Sequence, residues 1–155
     1  MQFIDLAAQQ KRIRARIEER FCRILDHGQY ILGPEIREIE EKLAAYVGMP
    51  YAVSVASGTD ALLMPLMAEN VGPGDAVFAP TFTFIATAGA IALTGATPVF
   101  VDIDPETFNI DPARLEAAIV ETSARKKLKP RGIIPVDLFG QPADYTSIQA
   151  IADKY

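Results

Sequence analysis

The pattern of hydrophobic and polar positions divides the chain into two regions. From about Leu6 to Asp26, apolar side chains recur at helical spacing between charged ones, and a second such helix runs from Pro34 to a stop at Gly48. From about residue 51, short uninterrupted apolar runs alternate with helical segments. Runs of this kind are typical of parallel strands that are buried on both faces. We therefore predict an N-terminal helical segment over residues 1–50 and an α/β domain over residues 51–155.

The second region predicts an α/β fold with a mostly parallel sheet flanked by helices. Strands are predicted at residues 51–56, 76–80, 97–103 and 132–140. Helices are predicted after them, at residues 59–70, 83–93, 111–121 and 144–155. Pro65 lies inside the first of these helices and removes a backbone hydrogen bond, so we expect a bend near Leu62.

The stretch between Asp75 and Asp102 carries no charge and is long enough to cross a bilayer. Prolines and glycines interrupt it, however, and threonines dilute it. A buried strand–helix–strand unit therefore explains it better, and we expect no membrane partner. The N-terminus lacks the pattern of a signal peptide, so a cytoplasmic location is expected.

Charge and single residues narrow the function classes further. The 155 residues carry a net charge of −5, which argues against a nucleic-acid partner. The basic cluster at residues 125–131 is interpreted as a solvated connection. The only cysteine, Cys22, excludes an internal disulfide and a multi-cysteine metal site, and its apolar neighbours predict core packing. His27 precedes Gly28 and is expected to be a capping or surface residue.

The sequence SVASGTDALLM, residues 54–64, runs from the end of a predicted strand into a predicted helix. Ligands of α/β sheets bind beyond the carboxyl ends of strands, and a helix N-terminus suits an anion. Gly58 permits close approach to the backbone, Thr59 adds a hydroxyl, and Asp60 offers its N–H if its carboxylate turns away. An ordinary N-cap and turn explains the same residues, and no P-loop lysine or G-x-G-x-x-G accompanies them.

Four segments together carry a family resemblance: GQYILGPEIREIEEKLAAYVG, SGTDAL, GPGDAVFAPTFTFIATAGAIALTGATPVFVDIDPETFNIDP and IIPVDLFGQPAD. In this order and spacing they resemble the DegT/DnrJ/EryC1/StrS family of pyridoxal-phosphate-dependent nucleotide-sugar aminotransferases. The resemblance implies the aspartate aminotransferase fold (fold type I). It also implies that residues 51–155 are an incomplete large domain, with the rest of that domain and a C-terminal small domain absent.

The resemblance also supplies roles for single residues. Gly58, Thr59 and Asp60 match the turn that binds the phosphate of pyridoxal 5'-phosphate, and Phe84 matches the aromatic residue that stacks on its ring. Gly33 matches a segment that borders the sugar nucleotide, although a turn between helices explains it too. Phe82 is expected to pack in the core. Asp137 stands where family members carry histidine, which leaves its role open.

The implied activity is transfer of an amino group from an amino acid such as glutamate to a keto nucleotide-sugar. The resemblance implies that the keto-sugar is a UDP-3-keto-hexose or a UDP-hexuluronate used for surface polysaccharide. It also implies that the enzyme is a homodimer. No catalytic residue is assigned, because the family's Schiff-base lysine and the acid beside its pyridine nitrogen match positions after Tyr155. We therefore expect the chain alone not to transaminate. A sugar dehydratase relative with histidine for lysine, a cofactor-free regulatory homologue and a simple phosphate-binding domain remain alternatives.

Overall fold

The computed structural model describes residues 4–155, which divide into two compact units, with the division of the chain between Ser54 and Val55. The first unit contains two helices, α1 (Leu6–His27) and α2 (Pro34–Val47). The Asp5 side chain caps α1 by accepting from the Ala8 N–H, and Gly28 ends it in the left-handed conformation at φ 65°. Both predicted helices are confirmed. His27 is the last residue of α1, and its Nδ1 accepts from the Gln29 N–H.

The second unit is a parallel sheet flanked by helices, as predicted. Its strands stand in the order β2–β1–β3, and all neighbours are parallel. In chain order, its elements are α3 (Gly58–Ala68), β1 (Asp75–Pro80), α4 (Ala86–Leu93), β2 (Thr97–Val101), α5 (Pro112–Arg125), β3 (Lys129–Ile133), a 3-10 turn (Leu138–Gly140) and α6 (Tyr145–Lys154).

The central strand β1 is buried on both faces. Phe78 points into a cluster that includes side chains of α5 and α6, whereas Val77 points into a second cluster that includes side chains of α3 and α4. Four helices therefore cover the sheet, two on each face. The uncharged stretch forms β1, α4 and β2, which confirms the predicted strand–helix–strand unit. Among residues 4–155, no helix combines the length and the apolar character needed to cross a membrane.

The path of the chain reverses beside β1. From β1 it passes through α4 on one face to β2, then through α5 on the other face to β3 on the far side of β1. The adjacent strands β1 and β3 therefore send their following segments to opposite faces of the sheet. Open α/β sheets bind ligands beyond the carboxyl ends of their strands at a reversal of this kind, so we expect a ligand near the segments that follow β1 and β3.

The predicted strand at residues 51–56 is wrong. This segment is irregular, and Tyr51 and Val53 are 84% and 72% exposed. A strand needs a neighbour for its backbone hydrogen bonds, and none of the strands in the described residues pairs with this segment. The sheet accordingly has three strands and not four. Pro65 lies inside α3, and the expected bend near Leu62 stays a prediction.

Three further expectations are corrected. The predicted strand 132–140 runs instead from Lys129 to Ile133, because Pro135 lacks an N–H and Phe139 has a φ of 57°, which no strand accommodates. The basic cluster is therefore partly strand, and Arg131 donates from Nη2 to the Glu69 carbonyl at 2.7 Å. Cys22 is exposed, because α1 buries none of its side chains within the first unit.

Candidate functional site

The turn at residues 57–60 is an ordered helix start that is open to solvent. Ser57 is the N-cap of α3, and its Oγ accepts from the Asp60 N–H at 3.1 Å. A Cβ built on Gly58 meets no other heavy atom within 4 Å, so no side chain plugs the turn. The N-cap interpretation is therefore confirmed, and the space beside Gly58 remains available to a ligand.

We expected the Asp60 N–H to be available to an anion, but in the structure it is already hydrogen-bonded. It donates to Ser57, and the Ser57 hydroxyl in return donates to Asp60 Oδ2 at 2.9 Å. The carboxylate thus folds back onto the cap. Within the described residues, the N–H groups of Gly58 and Thr59 and the Thr59 hydroxyl form no hydrogen bond. These three donors, together with the positive end of α3, are what the turn offers to an anion.

The connection of α3 to β1 and its packing against α4 bear on where its start lies. Residues 69–74 connect the end of α3 to the start of β1, and α3 packs against α4 on one face of the sheet. The 11 residues of α3 span about 16 Å, close to the roughly 20 Å of the six-residue strand β1. With these lengths and this short connection, we expect the start of α3 to lie near the end at which β1 stops.

Phe84 lies in the segment that follows β1, residues 81–85. The segment is fixed at one end by the Thr81 N–H, which donates to the Val101 carbonyl at 2.9 Å. At the other end the Phe84 carbonyl accepts from the Thr87 N–H at 3.1 Å, which starts α4. The Phe84 side chain is 74% exposed, so a face of its ring is available for stacking against a planar group.

Phe82 does not pack in the core as predicted. It is 47% exposed, and its ring contacts Phe108 and Phe139 with centroid distances of 5.9 and 6.3 Å. Phe108 and Phe139 also contact each other, at 6.1 Å. These three rings, which we call the aromatic triad, come from the segments after β1, β2 and β3. The sequence prediction missed the triad, because Phe139 fell inside the strand predicted at residues 132–140 and Phe82 was expected in the core.

The structure assigns Asp137 a local role. Its Oδ1 accepts from the Ala143 N–H at 2.9 Å and from the Tyr145 hydroxyl at 3.0 Å, which closes the loop between β3 and α6. Burial and the hydrogen bond to Asp137 raise the pKa of Tyr145 above its ordinary value. A carboxylate therefore serves as a double acceptor at the position where the resemblance expects histidine.

Gly33 belongs to the first unit, where it is the N-cap of α2. A Cβ at this position would stand 2.3 Å from the Gln29 carbonyl oxygen, so only glycine fits. The turn between α1 and α2 thus accounts for this glycine by itself. A role at the sugar nucleotide stays a prediction.

The turn at Gly58 and the ring of Phe84 together suit a ligand that combines an anion with a flat ring. The turn at Gly58 supplies backbone and hydroxyl donors, and Phe84 supplies an exposed aromatic face. A separate cavity of about 350 Å³ lies between β3 and α6, lined by Phe78, Ile133 and Ile148 among others. Neither the turn nor Phe84 lines that cavity, so it is not the site that the sequence predicts.

Comparison with known proteins gives a consistent picture. The profile of the DegT/DnrJ/EryC1/StrS aminotransferase family matches residues 11–155. The chain is 54% identical over 155 residues to UDP-2-acetamido-2-deoxy-3-oxo-D-glucuronate aminotransferase of Pseudomonas aeruginosa, and this match covers 100% of the chain and 41% of that enzyme. The chain thus spans about two fifths of the length of the curated relatives it matches first.

Solved structures agree in fold. A crystal structure of a DegT DnrJ EryC1 StrS aminotransferase from Brucella abortus superposes with a TM-score of 0.97 at 52% identity, covering 99% of this chain and 41% of that one. The sugar aminotransferase Spr1654 of Streptococcus pneumoniae, solved in its PLP form, superposes with a TM-score of 0.72 at 40% identity, covering 79% of this chain and 29% of that one.

Proposed function

The chain belongs to the DegT/DnrJ/EryC1/StrS aminotransferase family, and on that premise we propose that the whole protein is a pyridoxal-phosphate-dependent aminotransferase of a keto nucleotide-sugar. The substrate is a UDP-3-keto-hexose or hexuluronate, in line with the name of the Pseudomonas aeruginosa relative. The amino donor is an amino acid such as glutamate. The product enters surface polysaccharide biosynthesis, and the enzyme acts in the cytoplasm as a homodimer.

One observation carries this proposal: the turn at Gly58 is unplugged, and Phe84, in the segment directly after the central strand β1, exposes its ring. A phosphate at the turn would take the N–H groups of Gly58 and Thr59 and the Thr59 hydroxyl as donors. The Asp60 N–H reaches the anion only by releasing Ser57, so Asp60 contributes mainly by shaping the helix start.

The residues present fit the cofactor, because the space that a Cβ on Gly58 would fill admits a phosphate oxygen close to the backbone. When bound, pyridoxal phosphate supplies an electron sink through which an amino group is transferred between carbon atoms. The Phe84 ring would cover one face of the pyridine and exclude water there, leaving the other face to the substrate. Lys42 and Lys154 pair with Glu38 and Glu116, and we assign neither a catalytic role.

We further propose that residues 51–155 belong to the cofactor-binding large domain and residues 1–50 to a helical segment before it. In this proposal Gly33 borders the sugar nucleotide. Its tight approach to the Gln29 carbonyl fixes the turn that would present the neighbouring backbone to a substrate.

The test is to measure how tightly the whole protein binds pyridoxal phosphate, using the visible absorbance of the bound cofactor as the signal. Thr59→Val should weaken binding by about 1–2 kcal/mol, the contribution of one hydrogen bond. Thr59→Ser keeps the hydroxyl and is the matched control, with an affinity within about twofold of the wild type.

Equal cofactor affinity in Thr59→Val and the wild type would remove the phosphate role from Thr59. A wild-type protein that binds no pyridoxal phosphate would overturn the proposed function and favour a regulatory homologue. A protein that binds the cofactor and dehydrates a keto-sugar without amino transfer would identify the dehydratase relative.

A further inference from the structure

We propose that Asn109 and the aromatic triad form a clasp that holds the three segments after β1, β2 and β3 together and thereby positions Phe84. This inference rests on the proposed function for its effect on the cofactor. The clasp itself consists of contacts within the second unit. Asn109 is a positioning residue in this proposal, since it acts on the cofactor only through the 81–85 segment.

The Asn109 side chain joins the segment after β2 to the segment after β3. Its side chain is only 4% exposed, and Nδ2 donates to the carbonyls of Gln141 and Pro142, both at 3.1 Å. Its Oδ1 is buried and has no partner in the described part of the chain. Burial of an unpaired amide oxygen costs free energy, so the two donated bonds must account for the retention of a polar group here.

The triad joins the same two segments through ring contacts and adds the segment after β1. Phe82 comes two residues before Phe84, and its ring contacts rings from both other segments. Phe108 and Phe139 each adopt a positive φ, 61° and 57°, which is unfavourable for a bulky side chain. Surrounding contacts must offset this strain, and they include the rings of the triad and the bond that the Phe108 N–H donates to the Asp104 carbonyl at 2.8 Å.

The segment after β2 is stiff enough to transmit this restraint. Asp104 Oδ1 accepts from the N–H groups of Glu106 and Thr107 at 2.9 and 2.8 Å, and the Asp104 N–H donates to the Asn109 carbonyl at 2.9 Å. A closed turn therefore carries Phe108 and Asn109 next to each other. Loss of the Asn109 amide would free the β3 segment from this turn, and Phe82 would then lose a fixed partner.

The test uses the whole protein and two independent readouts. Hydrogen exchange in residues 81–87 of the cofactor-free protein reports the clasp directly. The affinity for pyridoxal phosphate and the visible circular dichroism of the bound cofactor report whether the Phe84 ring is correctly positioned. Asn109→Ala, which removes two hydrogen bonds, should speed exchange in this segment about tenfold and weaken cofactor binding about tenfold. Phe82→Leu should act in the same direction.

Thr94→Val is the matched control, because it also removes a side-chain bond to a backbone carbonyl. Its Oγ1 donates to the Ile91 carbonyl at 2.7 Å, at the far end of α4 from Phe84. This variant should lower the melting temperature while exchange at residues 81–87, cofactor affinity and the dichroic signal stay within about twofold of the wild type.

Unchanged exchange in both Asn109→Ala and Phe82→Leu would overturn the clasp. Faster exchange with unchanged cofactor affinity and dichroism would overturn the positioning of Phe84. If Asn109→Ala does not fold, Phe82→Leu decides by the same criteria. If the wild type binds no cofactor, the proposed function fails, and the exchange measurement still decides whether the clasp exists.

Discussion

Replacement of Gly58 by alanine should separate the stability of the protein from its affinity for the cofactor. Gly58 is the first residue of α3, and an added Cβ meets no other heavy atom within 4 Å. Its φ lies outside the left-handed region, so alanine adopts the same backbone without strain. Alanine is also the better helix former, and the cofactor-free protein should therefore be unchanged or more stable by up to about 1 kcal/mol.

Cofactor binding should respond in the opposite direction. The new methyl group occupies the space through which a phosphate oxygen would approach the Gly58 N–H. A hydrogen bond to a charged group contributes about 1.5–3 kcal/mol, so the dissociation constant of pyridoxal phosphate should rise about tenfold to a hundredfold. Thermal unfolding without cofactor and a fluorescence titration with cofactor measure the two effects on one preparation.

Gly89→Ala is the matched control for this experiment. Gly89 lies inside α4, and a Cβ there also meets no other heavy atom within 4 Å. It should stabilise the protein by a similar amount and leave cofactor affinity unchanged. The reasoning is refuted if Gly58→Ala binds pyridoxal phosphate as well as Gly89→Ala does. A marked loss of stability in cofactor-free Gly58→Ala would contradict the open geometry of the turn.

Two further predictions concern stability. Hydrogen bonds from Arg20 and Lys42 lower the pKa of Glu38 from 4.5 to about 2, so its stabilising contribution is complete above pH 4.5 and is lost as the pH falls towards about 2. Glu38→Gln should therefore reduce the acid sensitivity of unfolding over that interval, and identical acid titrations of variant and wild type would contradict this. Leu115 is fully buried in the cluster under α5, and Leu115→Ala should lower the free energy of unfolding by about 2–5 kcal/mol in urea titrations. A loss below about 1 kcal/mol would mean that this core is not packed as described.

Local sequence signals predicted the elements whose partners are also local. Asp111 and Gly28 mark the ends of α5 and α1 because a cap acts within its own turn. The strand predicted at residues 51–56 was wrong because its partner is not local. Its apolar residues suit a strand, but strand formation depends on a neighbouring strand that the local sequence does not specify.

The candidate site shows the same division. The open turn at Gly58 was predictable, since a strand-like run, a capping residue and a helix follow one another directly. The hydrogen bond from the Asp60 N–H to Ser57 was not predictable from the sequence. This N–H can donate to a side chain or to an anion, and only coordinates show which one it contacts. The aromatic triad depends on three segments that lie far apart in the chain, and their meeting follows from strand order, which periodicity does not give.

The reciprocal bonds between Ser57 and Asp60 have a consequence for binding of the proposed cofactor. They hold the backbone of the helix start in place before any anion binds. The turn is therefore preorganised, and phosphate binding loses little conformational entropy there. Newly made protein would then accept its coenzyme after folding, without a refolding step at this turn.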